Sequence, residues 1–170
     1  MRLILARRGN GLVYGMLGTL LLMLGTAALY DGYSAYQLRT WGYQVTGEAA
    51  RYAALRGVTF DPYTGVLSVD PASARQAAEA FMAQALAGRG SAIRNVSWQM
   101  QTITSPAGGQ VPGFPPVARA NLDGGNMRLN GPGVGVYLTF EVPTSWLGVI
   151  GMSGLTLHTF SAAEITGITP

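Results

Sequence analysis

The chain of 170 residues contains no cysteine and no lysine, has a single histidine, and carries charge at only 11% of its positions. Each scarcity removes a class of chemistry. Without cysteine there can be no disulfide framework, no thiolate metal site and no thiol nucleophile. His158 has no second imidazole with which to share a metal ion or a proton relay, so it reads as structural. The acids Asp61, Asp70, Asp123 and Glu141 are scattered, and three of them have turn or cap explanations. No two carboxylates stand at a spacing that would fix them together as an acid and a base. The run GGNMRLNGPGVG is rich in glycine but lacks the lysine and the strand-to-helix context of a phosphate loop. The serines sit in no nucleophile elbow. These absences predict a protein without catalytic residues, cofactor or metal.

Charge of one sign is also missing where it would matter. The formal net charge is +3 and the isoelectric point about 9.5, yet the excess belongs to Arg2, Arg7 and Arg8. Beyond residue 30 the eight acids cancel the eight remaining arginines. The high isoelectric point therefore reports an asymmetric N-terminus, and no nucleic-acid partner is expected.

What the sequence has is an oily leader. Asn10 to Tyr30, NGLVYGMLGTLLLMLGTAALY, is 21 residues without a charge. A hydrocarbon core of about 30 Å needs roughly 20 helical residues to cross it. Arginines precede the run and Asp31, the first acid, follows at once, so the N-terminus is expected in the cytoplasm and the rest of the chain outside. A secretory signal is the competing reading, with Gly25-Thr26-Ala27 as a small-residue cleavage site. The run is longer than a usual signal core, and helical spacing continues past Ala27.

Gly11, Gly18, Gly25 and Gly32 recur every seven residues along this helix, and Gly11 with Gly15 spells a GxxxG spacing. Small residues let helix backbones approach closely in lipid, where apolar side chains gain little from leaving the tails. The stripe is thus a candidate packing face, although glycine is also commoner in membrane helices generally. Tyr30, Tyr33, Tyr36 and Trp41 follow just outside, where amphipathic rings favour the lipid interface.

Helical spacing then persists to Gly57, a plausible terminal cap, with Gly42 and Gly47 as expected bends. Val45, Ala49, Tyr52, Ala53 and Leu55 offer an apolar stripe, and Glu48 stands three residues before Arg51 as a supporting pair. Asp61-Pro62 and Thr64-Gly65 mark a turn between two short extended pieces. Asp70-Pro71 reads as the N-cap and first residue of a second helix that stops at Gly88 and whose apolar face holds Phe81, Met82, Ala85 and Leu86. Ile93 to Ile103 alternates as a strand, and Ser105 to Pro116, with four prolines, is expected to be an irregular loop. Residues 117–130 suggest a weak hairpin about Asp123-Gly124-Gly125-Asn126. VGVYLTFEV is the cleanest strand, with Val134, Val136, Leu138, Phe140 and Val142 on one side. It is joined by an oddly apolar turn containing Trp146, Leu147, Val149 and Ile150 to a last strand, LTLHTFSAAEI. The turn suggests either a membrane or partner contact, or a fold back onto the core. The sum is an α+β protein: leader 1–9, transmembrane helix 10–30, its external continuation 31–57, and an external domain 58–170 in which the second helix packs on a small antiparallel sheet.

Two stretches resemble the TadE/TadG-like family of the tight-adherence (Flp) pilus apparatus. Arg7-Arg8-Gly9 leading into the span, followed by EAARYAALRG from Glu48 to Gly57, is similar to the family's N-terminal pattern. FEVPTSWLGVIGMSGLTLHTFSAAEI is similar to its final hairpin. The resemblance implies a pseudopilin-like, single-pass protein of the bacterial inner membrane that supports pilus assembly and adhesion through contacts with lipid, with pilus-assembly proteins and with other copies. It also implies that a prepilin peptidase can cut after Gly9 and expose Asn10. In the family a Glu stands fifth after that cut; here the residue is Tyr14, which has no charge to pair with a neighbour's new amino terminus. The same features also fit an accessory single-span subunit of another membrane complex, and, less directly, a soluble exported enzyme.

Overall fold

A computed structural model describes residues 3–116, 125–146, 148 and 151–166, with side chains from residue 11 onward. It is an α+β fold organised on one helix. Helix α1, Leu3–Gly57, runs for 55 residues, about 82 Å at the usual rise of about 1.5 Å per residue. The chain then forms a hairpin of β1 (Val58–Asp61) and β2 (Val66–Val69), helix α2 (Pro71–Ala87) and a short 3-10 turn at Gly90–Ala92. Strands β3 (Arg94–Ile103), β4 (Gly109–Pro112), β5 (Asn126–Leu129), β6 (Gly133–Pro143) and β7 (Gly154–Glu164) complete it.

The main sheet is antiparallel, in the order β3-β6-β7, so the strand with the cleanest alternation lies at its centre. Its inner face presents Val134, Val136, Leu138 and Phe140, all fully buried against α1 and α2. Along α1 the buried positions Asp31, Ala35, Leu38, Gly42, Val45, Ala49 and Ala53 are spaced three and four apart as one face of a helix must be, and Thr46, Ala50, Ala54 and Gly57 widen that face. Alanine and glycine dominate that face because the helix lies close on the sheet. Tyr52 and Leu55, expected on the stripe, are instead exposed; Tyr52 keeps its ring under Arg56 and beside Phe81. Glu48 and Arg51 form no ion pair, whereas Arg75 and Glu79 do on α2, at 3.0 Å.

Gly42 and Gly47 do not interrupt α1. They are where it comes nearest the sheet. A Cβ at Gly42 would lie 2.9 Å from both Phe140 and Thr159, and one at Gly47 would touch Ser161. The Thr46 hydroxyl donates to the Gly42 carbonyl at 3.0 Å and reaches Ser161 Oγ at 3.1 Å, tying α1 to β7.

The local signals around α2 hold. Asp61 accepts from the Tyr63 N–H and the Thr64 hydroxyl, turning the first hairpin. Asp70 caps α2, its carboxylate accepting from the Ser73 N–H at 2.9 Å, with Pro71 at the first helical position and Gly88 at the end. Within α2 the buried positions are Ala74, Ala78 and Met82, with Phe81, Ala85 and Leu86 packed partly against the same core.

The outer face of the sheet holds the main departure from expectation. The proline-rich segment is not wholly irregular: Gly109–Pro112 pairs antiparallel with Asn126–Leu129, so Asn126 opens a strand and its partner is β4. This ribbon lays Phe114 and Met127 over Tyr137 and Phe160 as a second small core. Gly135 makes the room, since a Cβ there would collide with Met127 and press on Phe114 and Phe160. Residues 117–124, including the expected turn at Asp123-Gly124, lie outside the described residues, as do Leu147, Val149 and Ile150 of the apolar turn and the side chains of residues 1–10, among them Gly9 and Asn10.

Candidate functional site

The part of the molecule that its own fold leaves unexplained is the exposed first half of α1. Leu12, Val13, Leu17, Leu20, Leu21 and Leu22 all project from it without cover. An 18-residue window here has a mean hydropathy of 1.9, and none of it is buried. By length and composition it can cross a membrane; signal sequences share those properties. Contiguous apolar surface of this extent is not stable in water and needs lipid or protein around it.

The two threonine hydroxyls in this half are satisfied within the helix. The Thr19 hydroxyl donates to the Gly15 carbonyl at 2.9 Å and the Thr26 hydroxyl to the Leu22 carbonyl at 2.8 Å. Such bonds to the carbonyl four residues back let a threonine sit in an apolar medium without an orphaned hydroxyl.

The glycine stripe is open along its whole length: a Cβ at Gly11, Gly15, Gly18, Gly25 or Gly32 would meet nothing within 4 Å. At about 100° per residue, Gly32, Gly25, Gly18 and Gly11 lie about 100° to 160° round the helix from Asp31, which faces the domain. The stripe is therefore turned away from the sheet, and none of the described residues covers it. Tyr14 is exposed on the same stretch.

Of the rings grouped at the interface by sequence, Tyr30, Tyr33 and Tyr36 project outward. Trp41 is used differently. It packs edge-on against Phe140, at 5.8 Å between ring centres, with the Arg89 guanidinium 4.7 Å above it, so this ring belongs to the junction of α1 with the domain.

At the boundary between the two halves stands Asp31, only 4% exposed. Its carboxylate accepts from the backbone N–H of Trp146 at 3.0 Å and of Ser145 at 3.3 Å, on the loop between β6 and β7. In the sequence Asp31 stands only as the first acid after the apolar run. Its partners lie more than a hundred residues away, and only the uncharged character of that distant loop hinted that the two meet.

Four titratable groups of the external domain have structural partners. His158 Nδ1 lies 2.8 Å from the Tyr137 hydroxyl and 3.1 Å from Thr139 Oγ1, its ring stacked on Tyr137. The hydrogen bond from the Thr64 hydroxyl, then that from the Tyr63 N–H, hold the Asp61 carboxyl below its ordinary range. For Asp70 the Ser73 hydroxyl and N–H do the same. Glu141 accepts from the Asn95 amide. Among the described residues no three His, Asp or Glu side chains come together as metal ligands would.

The candidate site is thus a surface, made of the apolar half of α1 with its glycine stripe and the Asp31 junction. No protein-family model, no curated protein and no solved structure matches this chain.

Proposed function

We propose that this protein is a single-pass, membrane-anchored assembly protein of the TadE-like, pseudopilin-like kind. Its N-terminus lies in the cytoplasm of a bacterial cell, and its α+β domain lies outside the inner membrane. It acts by holding neighbours: the glycine stripe packs against partner helices in the bilayer, and the external domain docks pilus-assembly proteins or further copies. The observation that carries the reading is the continuity of α1. The same helix that supplies the domain's core from Asp31 to Gly57 extends as an uncovered apolar rod above it, so the anchor is built into the fold. The arginines before the rod support the orientation.

Intact mass of the protein from its native cells, with its partition between membrane and soluble fractions, tests this. A membrane-bound chain that is full-length or cut after Gly9 is the expected result. A soluble mature form lacking the first 27 residues overturns it.

Tyr14 favours a second reading in the same membrane topology. Where a pseudopilin would carry a carboxylate to pair with a new amino terminus, a neutral phenol offers none. An accessory subunit of another membrane complex needs no such pair. Co-purification with a respiratory, photosynthetic or transport complex, in place of secretion components, selects this reading.

A further inference from the structure

We infer that Trp146, where the chain leaves β6 toward β7, is a second membrane contact: it rests in the outer-leaflet interface beside the span and binds phospholipid. The inference rests on residues 11–30 being a retained span. Asp31 is the first residue beyond the apolar run, and its carboxylate holds the loop backbone at Ser145 and Trp146. Ser145 and Trp146 are therefore pinned at the height where the bilayer ends. Trp146, 56% exposed, lines an open cleft of about 510 Å³ together with Met23, Ala27 and Tyr30. Those three stand one below the other on α1, and Met23 lies about 12 Å deeper than Asp31 at about 1.5 Å per residue. The indole is thus directed along the span, toward lipid. Met152, 54% exposed, is held beside Thr144, whose hydroxyl donates to its carbonyl.

The chemistry selects the occupant. From Pro143 to Gly154 the loop carries no charge, where a solvent-facing connection would ordinarily be polar. Tryptophan and tyrosine side by side, at the end of an apolar run, match the amphipathic zone at the level of lipid headgroups. Without basic residues the loop has no means to select anionic lipid, so zwitterionic phospholipid suffices and salt does not release it. With two points of attachment the domain cannot turn freely about the helix axis. It presents one fixed side to the lipid, while the glycine stripe, on another side of α1, stays open to a partner.

Because the chain lacks cysteine, a single introduced one carries a unique spin label. We would label Met152→Cys, Leu24→Cys in the span and Tyr63→Cys, 97% exposed on the far hairpin, in the full-length protein. Each is reconstituted at low density in phosphatidylcholine vesicles, and its collisions with oxygen and with a water-soluble nickel chelate are measured. The label at 152 should lose most of its collisions with nickel relative to that at 63, and high salt should not restore them. Adding Asp31→Ala should return it to water. A label at 152 as accessible to nickel as that at 63, with the label at 24 in lipid, overturns the loop contact and leaves the anchor standing. A label at 24 in water overturns the anchor, and the loop contact with it. Shielding of the label at 152 that appears only on adding a second membrane protein assigns the cleft to a protein helix and overturns the lipid assignment.

Discussion

Gly25 and Gly42 belong to one helix and meet opposite surroundings. A methyl group added at Gly25 finds nothing within 4 Å, whereas one at Gly42 comes within 2.9 Å of Phe140 and Thr159. The same residue type therefore does different things in the two halves of α1. In the external half, glycine and alanine let the helix lie against a sheet of its own chain. In the apolar half the same economy of side chain leaves a stripe that none of the described residues fills. The external half is covered by the fold, and the apolar half is left uncovered by the described residues.

That contrast can be broken or sharpened by substitution, starting with the largest effect. Phe140→Ala removes a fully buried ring at the α1 junction and should destabilise the external domain by about 3 to 5 kcal/mol, read from denaturant unfolding of the protein in detergent. Leu21→Ala, in the uncovered half, should leave that unfolding curve unmoved; a loss of similar size would mean the span is packed against protein. Gly42→Leu forces a side chain into the junction and should cost about 3 kcal/mol, near the upper end of overpacking penalties. The double change Gly18→Leu with Gly25→Leu should instead leave domain stability intact and abolish co-purification of membrane partners. Unchanged co-purification would remove the stripe as an interface.

A smaller effect sharpens the junction itself. The Thr159 hydroxyl is buried beside Gly42 without a hydrogen-bond partner. Thr159→Val keeps the shape and removes that orphan, so the domain should gain about 1 kcal/mol in the same unfolding assay. A loss would mean that the hydroxyl is bonded to water.

The smallest effect is electrostatic and confined to the external domain. Asp61 and Asp70 titrate below their ordinary values because hydroxyl and backbone donors stabilise their charged forms. Their contribution is complete above the unfolded carboxylate value of about 3.9 and disappears as pH falls through the lower folded values. Asp61→Asn with Asp70→Asn should therefore lower stability in the neutral region, leave the most acidic limit little changed, and so flatten the fall of the stability profile below about pH 4. An unchanged acid limb would show that these two groups do not set it.

Sequence by itself determined whatever depends on neighbours along the chain. The uncharged run, the Asp61 turn, the Asp70-Pro71 start of α2, its stop at Gly88 and the alternation of β6 are all local, because caps, turns and periodicity act over a few residues. Only the tertiary structure decided what depends on distant partners. It turned part of the proline-rich segment into a strand, because Gly135 left a hollow for Phe114 and Met127. It packed Trp41 against Phe140, and moved Tyr52 and Leu55 off the buried stripe. It brought Asp31 to Ser145 and Trp146 across more than a hundred residues. Such contacts are set by which faces the sheet and helix must bury together, and no window of sequence contains both sides of that choice.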